Sequence, residues 1–192
     1  MSELLRWDTE LFLLLNSLGS EAWDKFWLAI SATATWIPLY AILIFMLARH
    51  FKGWLLFWGL LLVVFNLFLT DQGSTWFFKE QFERLRPCHV AELQDQMRLV
   101  KAGCGGRYGF LSAHAANTFG MALLVGWFTR KRWPWLMPVL FCWAAIVAYS
   151  RIYIGVHYPL DVICGALYGM LCATLFYRIF QKLILPFYRE SD

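Results

Sequence analysis

Residues 150–161 read SRIYIGVHYPLD and lie between two long apolar runs of the chain. Pro159 suits the first turn of a following helix, where a backbone N–H has no intrahelical partner. Asp161 then falls in that turn, one turn after His157, and a carboxylate so placed can accept the imidazole proton and fix which ring nitrogen is free. Arg151 adds a planar cation of the kind that binds phosphate. A structural ion cluster that caps the helix is an equally open interpretation.

The composition is that of an integral membrane protein. Of the 192 residues, 60% are hydrophobic and 16% are charged, whereas soluble domains average about 45–50% apolar and about 25% charged residues. The length fits a single domain over residues 1–192. The formal net charge of +4 gives no reason to expect a nucleic-acid partner.

Uncharged runs predict the membrane-spanning helices, because a span needs roughly 17–25 residues. We expect an all-α, multispanning helical bundle with five transmembrane helices, over residues 26–48, 53–78, 113–129, 133–150 and 159–182, and a long outer loop over residues 79–112.

The N-terminal segment, residues 1–21, is too charged to span. It predicts an interfacial helix with one apolar stripe, formed by Leu4, Trp7, Leu11, Leu14 and Leu18. A helix packed on the protein itself is the alternative.

Five spans place the two termini on opposite sides of the membrane. Short segments on one side carry a dense set of basic residues: Arg49, Lys52, Arg130, Lys131, Arg132, Arg178, Lys182 and Arg189. By this density we expect that side to be cytoplasmic. Residues 71–112 and 150–161 then face outwards, which in a bacterial inner membrane is the periplasm.

The outer loop contains a second group of cations, in the segment KEQFERLRP, residues 79–87. Lys79 and Arg86 are seven residues apart, so on a continuing helix they share one face and could hold an anion. The alternative is that they pair with Glu80 and Glu83 and are simply solvated.

A third polar group, Ser112-Ala113-His114, leads directly into the third span. Ser112 suits the N-cap of that helix, and a helix start offers free N–H groups to an anion. An ionisable residue such as His114 inside a span usually serves function.

Two of the five cysteines, Cys88 and Cys104, lie in the outer loop. A disulfide between them is plausible if the loop faces an oxidising periplasm, and two free thiols are the alternative. Cys142, Cys164 and Cys172 fall within spans and are interpreted as apolar fillers.

Taken together, the three polar segments resemble the type 2 phosphatidic acid phosphatase (PAP2) superfamily, over roughly residues 22–180. Residues 79–87 fit K-x6-R-P, residues 150–161 fit S-R-x5-H-x3-D, and Ser112 to His114 resemble S-G-H. Ala113 replaces the usual glycine and Leu111 a common proline. Because alanine keeps its backbone N–H, the resemblance still implies activity, with a changed pocket shape.

The resemblance implies a role for each motif residue. His157 attacks phosphorus and forms a phosphohistidine, Asp161 orients its ring, and His114 protonates the leaving oxygen and then activates water. Five residues are implied to hold the phosphate oxygens: Lys79, Arg86, Ser112, Ala113 and Arg151. We expect no cofactor and no metal ion.

The implied substrate is a lipid phosphate or pyrophosphate that keeps its tail in the bilayer. The small size of the chain suggests a bacterial enzyme, and family frequency favours undecaprenyl diphosphate. Lipid A phosphate comes second, and phosphatidylglycerophosphate and phosphatidic acid remain candidates. The alternative is a membrane anion-binding or transport protein that uses the outer basic pocket without catalysis. The residues do not predict an oligomeric state.

Overall fold

The computed structural model describes residues 3–190, which contain nine α-helices and no β-strand. The first two residues of the expected 1–21 segment, and residues 191–192, lie outside the described residues. The helices are α1 Glu3–Ser17, α2 Glu21–Ser31, α3 Ile37–His50, α4 Gly53–Ser74, α5 Glu80–Phe82, α6 Ala113–Thr129, α7 Leu136–Tyr153, α8 Pro159–Ile179 and α9 Leu185–Glu190. The expected all-α class is confirmed.

The bundle has the length and surface of a membrane protein. With the turns that extend them, four of the described helices are long and apolar enough to span: Thr33–His50, Gly53–Phe82, Leu136–Tyr153 and Pro159–Phe187. The 17-residue α6 packs among α3, α4, α7 and α8. Large apolar side chains such as Phe45, Phe65 and Leu171 remain exposed on the outer surface of the bundle, where lipid would cover them.

The expected single helix over residues 26–48 is wrong, because the chain breaks within it. A 3-10 turn, Thr33–Trp36, separates α2 from α3. The side chains of Thr35 and Trp36 donate hydrogen bonds to carbonyl groups in the last turns of α2. These bonds satisfy carbonyl groups that the backbone N–H groups of a continuing helix would otherwise satisfy. Pro38, in the first turn of α3, has no N–H with which to continue a preceding helix.

Other helix ends also differ from the expected bounds. The helix expected over residues 53–78 continues through a π-helical turn, Thr75–Lys79, into α5, so Lys79 belongs to the end of the span and the loop is shorter than residues 79–112. The last span passes through a second π-helical turn, Phe180–Ile184, into α9. The seventh helix begins at Leu136, three residues later than expected, and ends at Tyr153, three residues beyond the expected end.

Small residues bring α6 and α8 into close contact. Gly165 and Gly169 lie against the backbone of Ser112 and Ala116, so that a side chain at either glycine would collide with a carbonyl oxygen. This is the close approach that a G-x-x-x-G pattern permits. The backbone N–H of Ser112 also donates to the carbonyl of Asp161, at 2.9 Å. The start of α6 is therefore attached to the start of α8.

Helix α1 packs on the bundle and also leaves its apolar stripe uncovered. Asp8, Phe12 and Asn16 are buried against the protein, and the Asn16 side chain donates to carbonyl groups at the end of α7. Each member of the stripe remains exposed: Leu4, Trp7, Leu11, Leu14 and Leu18. Helix α1 can therefore pack on the protein with one side and present its apolar stripe to the membrane interface with the other.

Candidate active site

The turn between α7 and α8 carries the histidine of the SRIYIGVHYPLD segment. Gly155 adopts a left-handed conformation, with φ +83°, which residues with a Cβ rarely adopt. Its N–H donates to Ile152 O at 3.0 Å, and the N–H of Val156 donates to Arg151 O at 3.1 Å. This is a Schellman motif, and it places His157 beside the end of α7.

Helix α8 begins immediately after this turn. Tyr158 is the N-cap, Pro159 occupies the first turn, and the Oδ2 atom of Asp161 accepts the Tyr158 N–H at 3.0 Å. The Nδ1 atom of His157 lies 3.4 Å from the same Oδ2. Both side chains are almost fully buried. The helix start therefore fixes a carboxylate against the imidazole ring.

The other ring nitrogen of His157 faces a cation. An Nη1 atom of Arg86 lies 3.2 Å from His157 Nε2 and also donates to Val156 O at 3.3 Å. Because a guanidinium only donates hydrogen bonds, this contact requires a lone pair on Nε2 and leaves the ring proton on Nδ1.

Burial and nearby charges favour this neutral form of the ring. Burial lowers the pKa of His157 well below its usual range, and the positive charges of Arg86, Arg151 and Lys79 lower it further. The segment that carries Lys79 and Arg86, which is distant in the chain, therefore acts on the histidine together with Arg151 from the histidine's own segment. A neutral imidazole with a free Nε2 is the form that can act as a nucleophile.

The second histidine and the second arginine meet near the end of α2. The guanidinium of Arg151 is buried and donates to the hydroxyl of Ser31. His114 lies in the first turn of α6, half-buried, close enough to Arg151 for the positive charge of that guanidinium to act on its ring. Sequence reasoning did not identify Ser31, because it falls within the residues 26–48 that were expected to form one helix.

The start of α6 offers backbone donors to the same region. The Ser112 hydroxyl accepts the Ala115 N–H at 3.5 Å, so Ser112 is the N-cap that the residues predicted. The N–H groups of Ala113 and His114 have no intrahelical acceptor in this first turn. They remain available to an anion.

All eight expected site residues lie at one end of the bundle, where α6 and α8 begin, α7 ends and the chain leaves α4 through its π-helical turn into the loop that carries Arg86. They are Lys79, Arg86, Ser112, Ala113, His114, Arg151, His157 and Asp161. The alternative pairing of Lys79 and Arg86 with Glu80 and Glu83 is absent from the ion pairs found among residues 3–190. In the same range, no cluster of three or more His, Cys, Asp or Glu side chains is arranged to hold a metal ion.

Sequence reasoning missed three further charged residues at the site. Arg84 donates to Asp161 Oδ1 at 2.9 Å and to Asp8 Oδ2 at 2.6 Å. Arg84 lies within the K-x6-R-P segment but is not one of its marked positions, and Asp8 belongs to the polar side of α1. Lys101 also lies close: burial lowers its pKa, and the charges of Arg151 and Arg86 add to this effect.

The two loop cysteines lie next to the arginine of the first motif. Cys88 follows Arg86 and Pro87 directly, and a disulfide joins it to Cys104, with the two Cα atoms 5.9 Å apart. The bridge closes the part of the outer loop that follows Arg86.

A cavity of about 790 Å³ opens beside His114 and extends into the bundle between α3, α4, α6 and α7. Its polar lining includes Asp71, Gln72 and Asn117, and the rest of the wall is mainly apolar. It reaches as deep as Leu47, Leu60 and Val125. Because His114 and Val125 are separated by eleven residues of one helix, the depth is about 16 Å.

Known proteins resemble this chain in sequence and in fold. The family model described as the PAP2 superfamily matches residues 54–185. A lipid A 4'-phosphatase of Bacteroides thetaiotaomicron is 35% identical over 177 residues, which are 92% of this chain and 78% of that protein. The crystal structure of Aquifex aeolicus LpxE superposes with a TM-score of 0.63 at 27% identity, and covers 88% of this chain and 94% of that one.

A shorter similarity, 42% over 64 residues, links the chain to an undecaprenyl-diphosphatase of Sulfolobus acidocaldarius, but it covers only 32% of this chain and 29% of that protein. The family match extends over more than half of the chain, and the Bacteroides relative is similar over nearly all of it. The chain therefore belongs to the PAP2 superfamily, as a multi-pass bacterial membrane phosphatase.

Proposed function

We propose that the enzyme removes a phosphate group from lipid A through a phosphohistidine on His157. The observation that carries the proposal is the placement of the buried His157, with Nδ1 beside Asp161 and Nε2 facing Arg86, among the charges of Lys79, Arg86 and Arg151. The relative that is similar over most of the chain is a lipid A phosphatase, whereas the similarity to an undecaprenyl-diphosphatase covers a third. We therefore prefer lipid A phosphate as the substrate over undecaprenyl diphosphate, which was the first expectation from the frequency of that activity in the family.

In the first half-reaction, the phosphate lies where Arg86 now meets Nε2, and the guanidinium turns to a phosphate oxygen. Lys79, Arg151 and the first-turn N–H groups of α6 bind the remaining oxygens. His157 Nε2 attacks phosphorus, the bond from phosphorus to the lipid oxygen breaks, and His114 gives its proton to that oxygen. Asp161 stabilises the positive charge that develops on the ring of His157.

In the second half-reaction, His114 takes a proton from water and the resulting hydroxide attacks phosphorus. The bond between phosphorus and Nε2 breaks, inorganic phosphate leaves, and His157 is neutral again. Phosphoryl transfer depends mainly on positioning and on stabilisation of spread negative charge. Side-chain cations and helix-start amides provide both.

The cavity beside His114 suits one acyl chain of the substrate. Its wall is mainly apolar, and His114, at the catalytic end of the bundle, is one of its lining residues. A lipid can therefore present its phosphate to His157 while a tail extends about 16 Å between α3, α4, α6 and α7.

We further propose that the site faces the periplasm from a bacterial inner membrane. The basic residues around Arg49 and Arg132, which contact each other at 2.7 Å, lie at the bundle end opposite His157. Short segments rich in Lys and Arg favour the cytoplasmic side.

A substrate panel tests the function. Purified protein in detergent is assayed for phosphate release from lipid A, undecaprenyl diphosphate, phosphatidic acid and phosphatidylglycerophosphate. We expect the highest kcat/KM for lipid A, with the mass of the product reduced by one phosphate. Higher kcat/KM for undecaprenyl diphosphate would contradict the lipid A assignment alone. Binding of these lipids with no phosphate release from any of them would contradict hydrolysis itself.

A further inference from the structure

The carboxylate of Asp161 has separate partners for its two oxygen atoms. Oδ2 accepts the Tyr158 N–H and lies beside His157 Nδ1. Oδ1 accepts a hydrogen bond from Nη1 of Arg84 at 2.9 Å. The Arg84 contact therefore fixes the rotation of the carboxylate and leaves Oδ2 for the imidazole ring.

Arg84 is held in turn by Asp8 of helix α1. The second terminal nitrogen, Nη2, donates to Asp8 Oδ2 at 2.6 Å. The carbon of the guanidinium lies 4.0 Å from the centroid of the Tyr158 ring, which is within the range of a cation–π contact. One planar cation thus joins two carboxylates that are 5% and 0% exposed.

Asp8 also contacts the helix that carries Asp161. Its Oδ1 atom accepts the Leu160 N–H in the first turn of α8, at 2.8 Å. The single side chain of Asp8 therefore binds both Arg84 and the turn in which Asp161 lies. Helix α1 is attached to the catalytic turn by charged groups as well as by apolar packing.

We propose that Arg84 and Asp8 are positioning residues that hold the carboxylate of Asp161 in the orientation in which Oδ2 faces His157 Nδ1. The proposal rests on the proposed role of Asp161 as support for the His157 ring. Both terminal nitrogens of Arg84 already donate to the carboxylates of Asp161 and Asp8, so the contribution of the pair falls on the step in which the ring becomes positively charged. A carboxylate that has lost this orientation stabilises that charge less well.

Two conservative variants test the pair. Asp8→Asn keeps the size of the side chain but removes its charge, and Arg84→Lys keeps the charge but replaces the planar fork, which can reach two carboxylates, by a point charge. We expect kcat to fall by about 10- to 100-fold in each, by analogy with the loss typical for the outer partners of metal-binding histidines. KM should remain within about twofold.

A matched control is the ion pair between Arg98 and Asp24, which has similar geometry, at 3.0 Å, but no contact with Asp161. Arg98→Lys and Asp24→Asn should leave kcat unchanged. Thermal unfolding in detergent, measured for all four variants, separates loss of fold from loss of turnover. Because Arg84 and Asp8 act as one unit, the double variant should lose about as much kcat as the more affected single variant.

The outcomes separate this proposal from the proposed function. Wild-type kcat in both Asp8→Asn and Arg84→Lys, with Asp161→Asn impaired, overturns the positioning pair alone. Losses of kcat that disappear once activity is normalised to folded protein overturn it as well. Full turnover in Asp161→Asn overturns the role of Asp161 and the positioning pair together.

Discussion

The Nδ1 atom of His157 lies 3.4 Å from Oδ2 of Asp161, across the junction where α7 ends and α8 begins. The two residues are four apart, but the relationship is not that of two neighbours on one helix. His157 lies in the turn before the N-cap, and Asp161 lies in the first turn of α8. A Schellman motif on one side and a proline-initiated helix on the other fix the pair.

Loss of either member of this pair should reduce turnover to different extents. His157→Ala should abolish phosphate release, because no other imidazole replaces the nucleophile. Asp161→Asn should leave the imidazole of His157 in place but lower kcat. The loss should reach up to about 10⁴-fold, the value seen when a catalytic histidine loses its carboxylate partner. The measurement is steady-state phosphate release in detergent, with gel filtration to verify the fold. Full turnover by His157→Ala would remove the nucleophile assignment.

The acidic side of the pH–rate profile should report the charges around His157. Protonated His157 cannot attack, and the positive charge of Lys79 contributes to the low pKa of this ring. Lys79→Met should therefore raise the pKa of His157, so that kcat/KM falls at a higher pH than in the wild type. Lys52→Met, at the opposite end of the bundle, is the control and should not move the profile. An unchanged acidic limb in Lys79→Met would contradict this electrostatic coupling.

The parts of the site that depend on neighbours in the chain could be predicted from the sequence. Ser112 caps α6, Pro159 opens α8, and the G-x-x-x-G of Gly165 and Gly169 brings these helices together. Each of these features follows from local backbone chemistry, so a short motif is enough to indicate it. The order of the motifs then brings the motif residues to one end of the bundle.

The parts of the site that depend on contacts between residues distant in the chain could not be predicted from the sequence. Arg84 meets Asp8 across 76 residues of chain, and no local pattern distinguishes a buried aspartate on α1 from a solvated one. The break between α2 and α3 was missed for a related reason. Uncharged composition predicts that residues 26–48 are buried in lipid or protein, but it does not indicate where the side chains of Thr35 and Trp36 bind the backbone.

Activity should persist after removal of divalent metal ions. The side chains of Lys79, Arg86 and Arg151 carry the charge that a metal ion would otherwise supply to the phosphate oxygens. Protein dialysed against EDTA should release phosphate at the rate of untreated protein, and added Mg²⁺ should not raise that rate. Loss of activity in EDTA that Mg²⁺ restores would contradict this prediction.

The outer loop should contain one disulfide, between Cys88 and Cys104. Alkylation of unfolded protein without reductant should then label only Cys142, Cys164 and Cys172, and reduction should allow all five cysteines to react. Intact-mass measurement counts the labels, and five labels without reductant would exclude the bridge. Replacement of both bridged residues by serine should lower the free energy of unfolding by about 3 kcal/mol, the value for a loop of about 15 residues.

The apolar cavity should determine the affinity for long-chain lipids without affecting the chemistry. Val63 lines the cavity well below the catalytic end, so Val63→Trp fills the space that a tail would occupy. We expect KM for a long-chain lipid phosphate to rise about tenfold, equivalent to about 1.4 kcal/mol, while kcat/KM for a short-chain, water-soluble phosphate stays unchanged.

Val139→Trp provides the matched control for this experiment, because Val139 is exposed on α7 and does not line the cavity. It adds the same indole to the surface of the bundle and should change neither constant. If Val63→Trp weakens the short-chain and long-chain substrates equally, the cavity does not distinguish a substrate with a long tail from one without, which contradicts its assignment as the tail site. If neither substrate is affected, the tail remains outside the bundle, and only the headgroup contacts the protein.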